Sequence, residues 1–328
     1  MLNFIARRIA YGVLILLGVN LLTFMLFFTV NTPDDMARLN LGGKRVTQEA
    51  IEKWKVERGY DKPLYFDASR EGSAKITETI FWERSVSLFA LRFGRADSES
   101  AGDIGHEVAS RMWVSLQMAL PLFVLQVIAS TAFALLLVMF RHSRLDFWGV
   151  VSCVLMLSIS SLFYIIVGQY LFSRVLKLAP ISGYAPGLDA VKFLVLPIAL
   201  SLLARLGGEA RLYRAMLLEE IGKDYVRTAR AKGLAEWTVL TRHVLRNALI
   251  PLVTALPAAF VGAFFAGSLL IETLFSLDGL GLLSYESVIR RDYPVVLGTL
   301  YLFTLIGLVT KLISDLCYVW VDPRVKFD

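Results

Sequence analysis

The chain has 328 residues, 56% of them hydrophobic, and its 34 lysines and arginines against 28 aspartates and glutamates leave a formal net charge of +6. That apolar fraction, with a mean hydropathy of +0.60, excludes an ordinary soluble domain and makes lipid the expected solvent. The basic excess forms no separate domain, which argues against nucleic-acid binding. It suits the basic loops that hold a membrane protein's cytoplasmic side in place.

Arg7 and Arg8 precede a first apolar run at 9–30. The run is longer than a signal-peptide core and no small-residue cleavage site follows it, so a retained helix with a cytoplasmic N-terminus is expected. Residues 31–112 are mostly polar with nearly balanced charge and are expected as an extracytoplasmic lobe. Inside the lobe, Thr47 as a cap, Glu49 in the first turn and Gly59 with Pro63 at the end predict one helix.

The second span is expected at 113–140, followed by the basic turn Arg141-His142-Ser143-Arg144, and the third at 147–172. A Pro/Gly-rich outer loop leads to the fourth span at 190–206, whose Pro197 neighbouring helices can accommodate. A polar island at 207–247 then carries eight basic against five acidic residues, which places it in the cytoplasm. The fifth span, 248–275, holds Gly262 and Gly267 for close helix packing. An outer loop at 276–294 precedes the sixth span, 295–321, which Asp322-Pro323-Arg324 stops. The expected domains are therefore 1–30, the lobe 31–112, the core 113–321 with the loop 207–247, and a cytoplasmic tail 322–328. Both termini fall in the cytoplasm.

No GxxxxGK[ST], HExxH or GxSxG pattern occurs, so neither a P-loop nor catalytic residues are expected. Cys153, Cys317, His106, His142 and His243 are too scattered to suggest a metal or redox site. The informative segment is the island. Asp224 to Lys232 reads as a short helix, interrupted upstream at Gly222 and ended by Gly233 as a left-handed cap. Arg227, Arg230 and Lys232 make it basic, and Ala229 and Ala231 keep it slim enough for a groove on a soluble partner. A solvated helix facing lipid headgroups is the bland alternative. Among ionisable residues near span ends, Lys311 and Asp315 are four apart and suit a pair along one helix face. Glu272 is a candidate for the substrate path or a loop anchor.

These residues resemble the permeases of peptide-type ABC importers, the oligopeptide and dipeptide permease family. The resemblance rests on Asp224-Tyr225-Val226-Arg227-Thr228-Ala229-Arg230-Ala231-Lys232-Gly233-Leu234 and on His243-x-Leu245-Arg246-Asn247-Ala248-Leu249-Ile250-Pro251. Ile271-Glu272-x-x-Phe275, Gly279-Leu280-Gly281, Arg291-Asp292-Tyr293-Pro294-Val295 and Gly59-Tyr60-Asp61-Lys62-Pro63 extend it to nearly the whole chain. Segments such as Gly267-Ser268-Leu269-Leu270-Ile271-Glu272 are similar to the YejB-like branch, linked to oligopeptides and peptide-like antibiotics such as microcin C. The chain departs from the generic coupling motif, with Arg227-Thr228-Ala229 where Glu-Ala-Ala opens it, and Arg95-Ala96-Asp97-Ser98 stands where the family often has Phe-Gly-x-Ser continuing.

The resemblance implies an all-α type I importer permease in the bacterial inner membrane, with six transmembrane helices and a lobe between the first two. It implies a second permease as heterodimer partner, two ABC ATPases that bind ATP and Mg, and an extracytoplasmic peptide-binding protein, with no cofactor held by this chain. Residues 222–234 would contact an ATPase, with His243, Arg246, Asn247 and Pro251 supporting the loop. Glu272 and Asp292 are candidates for a substrate path or outer gate. A proton-coupled secondary transporter using Asp315 or Glu272 is the alternative.

Overall fold

The computed structural model describes residues 2–42, 46–97 and 102–321, apart from some side chains near either end of the chain and within 254–268. Asp322-Pro323-Arg324 and the tail, the side chain of Cys317 and the packing around Gly262 and Gly267 lie outside what is described. Among the described residues the chain is helical, with no strand and only an isolated bridge between Arg95 and Asp103.

The chain divides into two compact units. The first comprises residues up to Trp113 with Leu282–Leu312. In it, α1 (Leu2–Val30) is followed by α2 (Pro33–Asn40) and α3 (Gln48–Arg58). Thr32 and Asp35 form a reciprocal capping box on α2, with Pro33 in its first turn. Thr47 caps α3 and Gly59, at φ +73°, closes it in the left-handed region, as its sequence signals predict. Short helices α4 (Ala74–Thr77) and α5 (Ile80–Arg84) and a 3-10 turn at Val86–Ala90 follow in the lobe before α6 (Ile104–Met139).

The lobe has a real apolar core, shared with α1 and α14 (Tyr293–Val321). Phe24 of α1 is fully buried and meets Phe28, Tyr65, Phe81 and Tyr293 with ring centroids 4.6–5.9 Å apart. These are tilted or edge-on contacts of the kind aromatic quadrupoles favour. Met36, Ile51, Trp54, Ile80 and Leu88 fill in around them. A segment that reads as polar by composition is therefore built on a hydrophobic cluster.

The second unit spans Val114–Gly281 with residues from Ile313 onward. Its elements include α7 (Arg144–Ser158), α8 (Ser161–Gln169), α9 (Ala190–Ile221), α10 (Asp224–Ala231), α11 (Glu236–Thr238), α12 (Leu245–Phe275) and the start of α13 (Leu280–Arg290). Close packing of α7 on α9 depends on Gly207: a Cβ there would lie 2.5 Å from the Cys153 carbonyl oxygen, the small-residue approach typical of helices in lipid.

Among the described residues four helices are long and apolar enough to cross a membrane, or five if one bent pair counts as a single span. The expected third span, 147–172, is not one straight helix. It breaks at Ile159-Ser160, and the two parts, Arg144–Ser158 and Ser161–Val175, meet at 88°. Ile159 is extended at ψ 129°, and Ser160 restarts the chain as an N-cap. The helix that carries the expected fourth span does not end at 206: α9 continues to Ile221 and takes in the first third of the polar island. The expected fifth span corresponds to α12, a 31-residue helix.

Candidate functional site

The basic segment leaves α9 at Ile221. Gly222 caps that helix in a right-handed conformation (φ −70°), and Lys223 is extended. The break therefore comes from Lys223, while Gly222 needs no special backbone freedom. The eight-residue α10 follows. Its Val226 and Ala229, three residues apart on one face, are buried among Tyr213, Leu217, Val239, Leu240 and Val244. Ala229 thus packs on this chain and is not available to a groove on another. Gly222, Asp224, Arg227, Thr228, Ala231, Lys232, Gly233 and Leu234 are exposed on the other side, and Gly233 takes φ +77°.

The charges divide into two sets. Arg227 lies 3.7 Å from Asp224 with both side chains mostly in solvent, a pair worth little. Arg230 is committed within the chain: its Nη2 and Nε donate to Glu236 at 2.7 and 3.0 Å, and Arg141 donates to the same carboxylate at 3.4 Å. The Arg230 hydrogen bonds hold the Glu236 carboxyl below its ordinary range. A second fork joins Arg214 to Asp146 at 2.9 and 2.8 Å. Bidentate arginine–carboxylate pairs fix orientation as well as distance: the first holds α10 to α11, whose Glu236 also meets Arg141 of the turn after α6, and the second holds α9 to α7.

Tyr225 donates to Glu220 at 2.7 Å and is also hydrogen-bonded to Asn247. That contact gives Asn247 its place in the continuation. His243 lies half-buried in the irregular turn Val239–Val244, Arg246 is exposed, and Pro251 sits near the start of α12. Glu236→Ala is expected to cut coupled transport about tenfold, the consequence of losing roughly 1.4 kcal/mol of helix positioning. Membrane insertion should stay at the wild-type level. Uptake assays normalised to membrane-inserted protein check this.

Glu272 and Asp292 occupy separate settings. Glu272 is fully buried near the C-terminus of α12. It accepts a hydrogen bond from Ser115 Oγ at 2.7 Å, and Ser115 Oγ in turn accepts from the Leu280 N–H at 2.9 Å. A Cβ at Gly279 would lie 2.3 Å from the Glu272 carboxyl carbon, and one at Gly281 would lie 2.9 Å from its Oε2. The Gly279-Leu280-Gly281 motif therefore makes room for this carboxylate, and Glu272 anchors the loop that follows α12.

Asp292, also buried, accepts from the Asp97 N–H at 3.2 Å and borders a cavity of about 270 Å³ lined by Glu107, Arg111, Glu286 and Arg290. Asp97 accepts from the Tyr60 hydroxyl, with Arg84 and Arg58 at 3.8 and 4.0 Å. Burial raises its carboxyl to about 6, against the opposing pull of Arg84. A folded-state value above the unfolded one stabilises the protein in acid, and that contribution fades as pH rises through about 4 to about 6. The detergent-purified chain is expected to lose up to about 3 kcal/mol through Asp97 over this window. Thermal unfolding checks this, with Asp97→Asn removing that component of the pH dependence.

Several of these partners escape a sequence reading. Glu236, Arg141, Asp146 and Arg214 are ordinary loop charges until the fold joins them. Arg205 carried a signal, a lone arginine in an apolar run, but an expected span end at 206 placed it at a boundary. Among the described residues no group of three metal-ligating side chains comes together.

Long apolar helices joined by a clamped basic helix mark a polytopic membrane protein. A family model described as the inner membrane component of binding-protein-dependent transport systems matches residues 107–327, and a model of the N-terminal part of such components matches residues 1–84. The chain belongs to that family. It is 32% identical to the inner membrane ABC transporter permease protein YejB of Escherichia coli O157:H7 over 88% of this chain and 79% of that protein. It is also 32% identical to a protein of Brucella abortus (strain 2308) described as a peptide transport system permease, over 99% of each. Among solved structures, an inward-facing form of the MetNI methionine ABC transporter matches with TM-score 0.54 at 17% identity, over 66% of this chain and 96% of that one. That likeness shows the fold, an all-helical ABC permease.

Proposed function

We propose that the chain is one half of a heterodimeric pore in an ATP-driven inner-membrane importer of oligopeptides or peptide-like compounds. A second permease supplies the other half, and two cytoplasmic ATPases bind the ATP and Mg. An extracytoplasmic binding protein delivers the peptide. Six spans, with α12 as the fifth, place both termini in the cytoplasm. Support for the substrate class comes from relatives described as peptide permeases that align along nearly the whole chain.

The observation that carries the coupling role is the two-sided character of α10. One face is bolted to this chain through Val226, Ala229 and Arg230, and the other presents Asp224, Arg227, Thr228 and Lys232 outward. A rigid helix with a free polar face transmits a push from a partner, whereas a mobile one would absorb it. ATP biases the switch between inward- and outward-open states only through tighter binding to one of them. Glu272 and Asp292 serve this machine as anchors of the segments that follow α12 and α13.

The test is uptake of labelled peptide by proteoliposomes holding the chain with its co-purifying partners. ATP-dependent uptake, with no uptake under a proton gradient alone, is the expected result. Uptake driven by the gradient without ATP would replace this reading with the secondary transporter.

A further inference from the structure

Arg205 is the sixteenth residue of α9 (Ala190–Ile221), about 22 Å along a helix that rises 1.5 Å per residue. A hydrocarbon core is about 30 Å thick, so a span counted from the start of α9 runs about 8 Å, one and a half turns, past Arg205. A cation at that depth is costly unless it faces water, a partner or a ligand. Among the described residues Arg205 makes no hydrogen bond and no close ion pair; Glu209, one turn on, acts on it through space. Glu209 is already engaged by Gln126, Ser130 and Tyr213.

Arg205 borders two cavities of the second unit. One, of about 250 Å³, has Ser161 and Ser201 as its other polar members and Ile165, Ala204, Leu270 and Ile271 as apolar walls. The other is narrow, about 30 Å³, and is lined by Gln126, Glu209 and Tyr213 among others. Gln126 is only 4% exposed, and its side-chain oxygen has no hydrogen-bond partner. A buried acceptor left unsatisfied is expensive, and here it borders the same space as a guanidinium that makes no hydrogen bond among the described residues. Apolar walls with a few converging polar groups are the usual make-up of a small-molecule site.

We propose that Arg205 binds the C-terminal carboxylate of the transported peptide, in the wider cavity between α8, α9 and α12. This rests on the peptide-importer reading and adds a transient site inside the permease to it. The planar guanidinium matches a carboxylate in a bidentate fork, and neither serine alone could supply that charge. The walls ask nothing of side-chain identity beyond apolar surface, so the site reads the end of the peptide and tolerates its sequence.

The experiment compares ATP-driven uptake of a tripeptide with that of its C-terminal amide, using the intact complex and the same binding protein throughout. Arg205→Gln should raise KM for the free acid and leave the amide nearly unchanged, lowering the acid-to-amide preference about tenfold. Arg205→Lys should retain most of the preference. Equal losses for both substrates would assign Arg205 a purely structural role, and an unchanged preference would also overturn the proposal. Ser161→Cys in the assembled complex supplies a readout that needs neither transport nor loss of the arginine. A cationic thiosulfonate should label it, and the free-acid tripeptide should protect it more than the amide does. Absent labelling, or equal protection by the two, would sink the site. Failure of the wild-type complex to import any peptide with ATP would count against the importer reading instead, and the labelling result would stand apart from it.

Discussion

Replacing Gly233 with valine is expected to abolish ATP-driven uptake while leaving the chain in the membrane at wild-type abundance. Gly233 sits at φ +77°, and a Cβ there would meet nothing within 4 Å. Any effect of valine must therefore come from the backbone and not from a clash. The left-handed region costs an ordinary residue about 1–2 kcal/mol, and a β-branched one is a genuine outlier there. Relief requires unwinding the end of α10, where the Gly233 N–H donates to the Arg230 carbonyl at 2.9 Å and the Lys232 N–H to that of Thr228 at 3.1 Å. In the proposed coupling role, that is the edge offered to the ATPase. Asparagine, which tolerates the left-handed region, should keep uptake within a few-fold of wild type. Normal uptake by Gly233→Val would show that this turn does not matter for coupling.

Gly279→Ala should destabilise the second unit. Its new methyl would lie 2.3 Å from the Glu272 carboxyl carbon and 2.4 and 2.5 Å from the two oxygens. Glu272 has no exposed route of escape, and moving it breaks the hydrogen bond from Ser115. Overpacking of this kind costs about 1–3 kcal/mol, so the thermal midpoint in mild detergent should fall by about 2–4 °C per kcal/mol lost. Pairing it with Glu272→Ala removes the obstruction. The double variant should be no less stable than Glu272→Ala alone, a non-additivity that identifies direct contact. Additive losses would show that the glycine serves another purpose.

The sequence made α3 and α10 legible for the same reason: each is bounded by residues whose chemistry fixes a helix end. Thr47 and Gly59 bracket the first, and Gly233 closes the second. The 88° break between α7 and α8 was not legible, because Ser158-Ile159-Ser160 contains neither proline nor glycine, and serines in an apolar helix bond back to their own backbone without ending it. Which face of α10 looks outward also depended on the fold. Alternation alone could not reveal that Ala229 meets Val239 and Val244, or that Glu236 claims Arg230 six residues earlier. Glu272 illustrates a further limit. Its burial and its closeness to Gly279 and Gly281 follow from the turn after Phe275, where Ser276 adopts φ +50°; the sequence placed a loop there but not the way it folds back on the carboxylate. Arg205 was visible as an arginine among leucines, but the cavities it borders emerged only with the fold.

The most direct test of the coupling account is a mild-detergent pull-down of the tagged chain from its native membrane, with mass spectrometry of what accompanies it. The account predicts a second polytopic permease together with P-loop ATPases for the wild type, and loss of the ATPases alone from the Gly233→Val variant. Recovery of the chain intact, folded and unaccompanied would contradict it.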